Sequence, residues 1–220
     1  MNLNVKSMHL IDFTAPPILP AMSRPFSSQQ PGTAQALVAV LTDSKTSAAS
    51  ASTALAQWKL VNPRANWSVL DMRQAPPEPG EWLQRMLSEL LSRKHMQSGQ
   101  LVLLGRRDAG RQALDVVLNG GLACAGFVGI DIPCAPPRFA TVPTTASIRL
   151  VLHESNAEQS DGDSLLGMLR HADIDSRIMR LPSAGADYED TTVRAAGTFL
   201  FELVAKACRH PLAQLGTHHV

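Results

Sequence analysis

An α/β domain on a mainly parallel sheet, with helices on both of its faces, is the fold class this sequence predicts, and three observations carry the prediction. Short apolar runs recur at 36–41 (ALVAVL), 101–105 (LVLLG) and 124–130 (CAGFVGI), as in strands covered on both sides, and 148–153 (IRLVLH) reads as a further strand. The stretches between them carry apolar residues at helical spacing. Strand and helix therefore alternate, which favours a parallel sheet with right-handed crossovers.

The elements follow in order. Residues 1–35 contain Pro16, Pro17, Pro20, Pro25 and Pro31 with a Ser/Gln cluster; proline excludes regular helix and leaves only short edge strands, so this stretch reads as an extended arm. The first core strand, 36–41, is followed by a polar loop, 42–46. An Ala/Ser-rich helix to Leu60 then places Ala51, Leu55 and Trp58 on one face. A second strand covers 67–72, and APPEPG at 75–80 is a rigid break. The next helix is the clearest: Trp82, Leu83, Met86, Leu87, Leu90 and Leu91 form an i, i+3, i+4 stripe, with Glu81, Arg85, Glu89 and Arg93 off it. A helix from Ala109 to Leu118 follows the third strand and stops at Asn119-Gly120-Gly121, a left-handed terminator. The remaining expectations are a helix over 163–171, a strand over 176–181 and a last helix over 193–207. The domain is placed at 36–209, with a C-terminal tail at 210–220.

Composition narrows the function classes. A length of 220 residues suits one domain of roughly 150–250 residues with a short appendage. Twenty Lys+Arg against 19 Asp+Glu, a formal charge of +1, supply no overall drive toward nucleic acid. An apolar fraction of 45% with 18% charged residues argues against disorder. Three cysteines, Cys124, Cys134 and Cys208, form no CxxC pair, and an odd number points to a reducing compartment. The N-terminus does not read as a secretory signal, and no run of 18 apolar residues marks a membrane span. A soluble, cytoplasmic protein is expected.

In open parallel sheets ligands gather where strands end. The loop Gly105-Arg106-Arg107-Asp108-Ala109-Gly110 joins an apolar strand to a helix, with glycine at both ends. It has the form of a nucleophile elbow, G-x-S-x-G, whose middle residue stands exposed at the helix start. Here that residue is Arg107.

With this turn, LVLLGRRDAG followed by ALDVVLNG, the chain resembles the phospholipase/carboxylesterase family of α/β-hydrolases, which includes acyl-protein thioesterases; members read like LVLLGFSQGG there. CAGFVGIDIPCAPP, RLVLHESNAEQ and IMRLPSAGADYE continue the likeness as strands ending in loops, so that it spans about 36–207. The resemblance implies an α/β-hydrolase fold and places the serine nucleophile on Arg107, the acid on Ala157 and the base histidine on Ala186. None of these can perform the role it inherits, because the serine needs a base in hydrogen-bond reach and the base an orienting carboxylate. A one-residue slip offers Asp108 and Glu158 but no histidine. The family's His-Gly-x-Gly-Gly loop, which helps form an oxyanion hole, falls on Thr42-Asp43-Ser44-Lys45-Thr46, without glycine.

A catalytically degenerate, esterase-like protein acting by ligand or protein binding is therefore expected. The alternatives are an active carboxylic-ester or thioester hydrolase with displaced residues, such as Ser155 beside His153, or a subunit of an assembly. Arg106 and Arg107, with Arg111 on the next turn, suit an anion, while Asp108 between them competes for the same charge. Arg106, Arg107, Asp108 and His153 are the candidate ligand residues, for a small anionic or acyl ligand. Asp161-Gly162-Asp163 resembles part of a calcium loop without its other ligands and reads as a turn with a helix N-cap. His218 and His219 lack a third metal ligand. No cofactor or metal is expected; a protein partner on the arm and a homodimer stay open.

Overall fold

The computed structural model describes residues 35–43, 48–76, 79–153, 158–182 and 187–214. The expected arm falls outside them, Gln35 excepted, as do Ser155, Ala157, Ala186, His218 and His219. Six strands form one sheet: β1 (Ala36–Thr42), β2 (Ala65–Asp71), β3 (Leu101–Arg106), β4 (Gly126–Ile130), β5 (Ser147–His153) and β6 (Ser176–Leu181). Their order is β2-β1-β3-β4-β5-β6 and every pairing is parallel. The five α-helices of the described residues are α1 (Ala48–Val61), α2 (Pro79–Lys94), α3 (Arg107–Leu118), α4 (Glu158–His171) and α5 (Tyr188–Gln214).

The period of two along each strand sorts the core into two layers. Leu37, Ala39, Leu41, Leu101, Leu103, Phe127, Ile148 and Leu150 meet α2, α3 and α4. Val38, Val40, Val102, Leu104, Val128 and Val151 point the other way, onto α1 and α5. Each fully buried side chain of this size contributes about 1.5–3 kcal/mol, so the apolar runs of the sequence are stable only with helices on both sides. The α2 stripe buries Leu83, Leu87, Leu90 and Leu91. Pro79 opens this helix, where its missing N–H costs nothing. At the end of α3, Gly120 takes φ +79°; Gly120 N–H donates to Val117 O and Gly121 N–H to Val116 O, the expected left-handed stop.

Two of the ties that hold α5 in place come from Trp58 and Arg149. Trp58 Nε1–H donates to the Val193 carbonyl at 2.8 Å, and the buried Arg149 of β5 reaches Glu202 of α5 at 2.6 Å and Asp175 at 3.0 Å.

Three expectations need correction. α4 begins at Glu158, so Asp161 and Asp163 lie inside a helix and neither is an N-cap. Turn-forming composition yields here to packing: Gly162 is buried, where a Cβ would lie 3.3 Å from Leu152 Cδ1, and Asp163 pairs with Arg180 of β6. α5 begins at Tyr188, five residues before the expected start, and continues to Gln214, into the stretch read as tail. α3 begins at Arg107, so strand and helix are joined with no loop between them.

Candidate ligand site

All strands end on one side, and the chain leaves β1 toward β2 but continues from β3 in the opposite direction. Crevices at such a switch point collect ligands. One sharp turn at this edge leads from β3 into α3. Arg106 is extended, with φ −109° and ψ 149°, and the next residue, Arg107, has φ +48°. A side-chain-bearing residue in that region costs about 1–2 kcal/mol, and the packing around it explains why it is tolerated. A Cβ on Gly105 would lie 2.5 Å from Gly110 Cα; one on Gly110 would lie 2.6 Å from Gly105 O and 2.7 Å from Ile132 Cγ2. Strand and helix touch backbone to backbone, so the chain can turn only within one residue. The elbow form expected from the glycines is present, and Arg107 occupies its tip.

The Arg107 tip borders a cavity of about 520 Å3, which Asp108, Asp131, His153, Asp161 and Tyr188 also line. Behind it sits a compact polar network. Asp131, at φ +49° just past β4, accepts from His153 Nδ1 at 2.6 Å, from the His153 backbone N–H at 3.3 Å and from the Tyr188 hydroxyl at 3.1 Å. An ionised carboxylate only accepts, so Nδ1 carries the proton. His153 Nε2 lies 3.0 Å from Thr192 Oγ1, which itself lies 2.7 Å from the Tyr188 carbonyl. The Tyr188 ring stacks on the imidazole, centroids 3.9 Å apart. Burial, and then the Asp131 carboxylate, push the Tyr188 hydroxyl above its ordinary pKa, so it stays a donor.

The three arginines separate. Arg106 turns inward to Glu189, at 2.8 Å, and lies 3.9 Å from Asp131. Arg111 pairs with Asp115 at 3.0 Å and donates to the carbonyls of Pro133 and Ala135, fixing the loop that forms one wall of the cavity. Arg107 is exposed, and no hydrogen bond or ion pair among the described residues engages it. Of the four residues singled out from sequence, Arg107, Asp108 and His153 line one cavity, and Arg106 supports it from behind.

Asp131 and Tyr188 escape the sequence reading. The signals were available: Asp131 directly follows an apolar strand, and Tyr188 is the only tyrosine of the chain. What they lacked was a motif, since their partners are 22 and 57 residues away from Asp131 in the chain. Among the described residues no group of three His, Cys, Asp or Glu side chains could hold a metal, and no helix is long and apolar enough to cross a membrane.

No family model matches the chain, and no curated protein matches it in sequence. Solved structures do match in fold. Esterase PE8 is 15% identical with a TM-score of 0.59, covering 78% of this chain and 94% of its own. A Bacillus cereus carboxylesterase is 12% identical with a TM-score of 0.57, covering 76% and 90%. YahD, in a structure with malic acid, is 14% identical with a TM-score of 0.57, covering 77% and 94%. The chain has the α/β-hydrolase fold, and its structural neighbours include esterases and carboxylesterases.

Proposed function

We propose that this chain is a catalytically degenerate α/β-hydrolase, a pseudoenzyme that holds a small anionic or acyl ligand in the cavity beside Arg107 and transfers no acyl group. The observation that carries the reading is the side chain at the elbow tip. A guanidinium offers five donors and neither a nucleophile nor an acceptor, and no described residue pairs with the one that Arg107 presents to the cavity. Its fork suits a carboxylate or phosphate. The YahD neighbour, in its structure with malic acid, gives the same direction: a dicarboxylate in a protein of this fold. Cys124, Cys134 and Cys208 form no disulfide, which accords with a cytoplasmic setting.

One observation favours the second reading, a hydrolase with displaced residues: Asp131 and His153 form the orienter and base of a triad-like pair at 2.6 Å. The hydroxyl that His153 Nε2 meets argues against it. Thr192 is 1% exposed and bonded to its own helix, out of reach of any substrate, so the network supports the shape of the cavity. Ser155 and Asp108 are the other nucleophiles this reading needs. The experiment is p-nitrophenyl acetate and butyrate turnover together with butyrate binding followed by thermal shift. The proposal expects no turnover above buffer and a butyrate-dependent rise in Tm that is lost in Arg107→Gln. Turnover that disappears in Ser155→Ala or Asp108→Ala would establish the second reading instead.

A further inference from the structure

A second charge without a partner among the described residues lines the cavity. Asp161, on the first turns of α4, lines the same space as Arg107, and like Arg107 it has no hydrogen bond or ion pair among the described residues. The two do not pair with each other, although pairing would be the simplest way for opposite charges in one cavity to satisfy themselves. The other acids are committed: Asp131 to His153 and Tyr188, Asp108 to an interaction of its own. Apolar groups from Ile132, Pro133 and Leu152 lie in the same lining.

A cation and an anion that line one partly apolar cavity without pairing match one ligand chemistry. We infer that the ligand is a small zwitterion with an apolar body, an amino acid or close relative, whose carboxylate meets Arg107 and whose ammonium meets Asp161. This rests on the reading of the cavity as an anion-binding ligand site and narrows its ligand class. A ligand carrying only an anion would leave Asp161 beside it as a like charge, which disfavours binding.

Calorimetric titration of the full chain with three probes separates the possibilities: L-phenylalanine, 3-phenylpropanoate (the carboxylate alone) and 2-phenylethylamine (the ammonium alone). The expected result is phenylalanine binding about tenfold or more tightly than either half-ligand. Arg107→Gln should weaken phenylalanine and phenylpropanoate about tenfold while sparing phenylethylamine. Asp161→Asn should bring phenylpropanoate level with phenylalanine. Both side chains are exposed, so neither change threatens folding. If phenylpropanoate equals phenylalanine on the unaltered protein and still requires Arg107, the zwitterion inference fails while the anion site stands. If no probe binds in an Arg107-dependent way, both fail.

Discussion

Replacing Gly105 with Ala tests the geometry on which the site depends. The new Cβ would lie 2.5 Å from Gly110 Cα and 2.9 Å from Gly110 N, about 1 Å inside ordinary carbon contact. Both opposing atoms are backbone, so no rotamer change relieves the overlap; β3 and α3 must separate. That separation lies at the centre of the larger core layer, where Leu103, Ala113 and Leu114 are fully buried. Overpacking of a dense core costs about 1–3 kcal/mol and occasionally more, and a backbone-to-backbone overlap belongs at the upper end, about 3 kcal/mol. At this chain length that lowers Tm by about 6–12 °C. The control is Gly167→Ala in α4, where an added Cβ meets nothing within 4 Å; this change should stabilise the helix by about 0.5–1 kcal/mol. Urea unfolding with a common m-value measures both. A Gly105→Ala loss below about 0.5 kcal/mol, or equal responses at the two positions, would refute the close approach of strand and helix.

Further outcomes follow from single interactions. Arg107→Gly removes the left-handed strain at φ +48° and should raise stability by about 0.5–1 kcal/mol after the unfolded-chain entropy of glycine is offset, while abolishing anion binding; a loss of stability in urea unfolding would count against strain at this residue. Arg149→Met leaves Glu202 and Asp175 without their buried partner and should cost about 3 kcal/mol, the low end for a broken buried pair because both carboxylates can rehydrate. The Arg149 guanidinium holds both carboxyls below their ordinary pKa. Their contribution is therefore complete only above about pH 5, clear of the unfolded carboxyl values, and is lost as pH falls through these and then the lowered folded values; the urea midpoint should fall on acidification, and less steeply in Arg149→Met. Burial pushes the Cys124 thiol up to about 12, so iodoacetamide at pH 8 should leave it unmodified in the native protein and alkylate it in urea, read by peptide mass.

The parts of this fold legible in the sequence are those with local causes. ALVAVL and LVLLG are strands because no half-exposed element tolerates such runs, and Asn119-Gly120-Gly121 stops α3 because only glycine takes φ +79° without strain. The start of α4 was not legible: Asp161-Gly162-Asp163 has the composition of a turn, and only the Asp163–Arg180 pair and the little room beside the buried Gly162, where a Cβ would crowd Leu152, show why it is helix. The elbow is readable from its two glycines, since their role is a contact five residues apart. The Asp131–His153–Tyr188 network is not, because parallel β4 and β5 bring Asp131 to His153 through sheet register, with Ile130 opposite Val151. Similarly, the three arginines look alike in sequence, and only their distant partners Glu189 and Pro133 separate Arg106 and Arg111 from Arg107.

The central claim is that an arginine at the elbow tip has replaced acyl transfer with binding. Intact-mass measurement after incubation with a fluorophosphonate probes it most directly, because that reagent captures an activated serine wherever in the chain it stands. An unmodified mass, the same before and after incubation, is the predicted result. A stoichiometric adduct on any serine would show that this fold still assembles a working nucleophile, and would contradict the account.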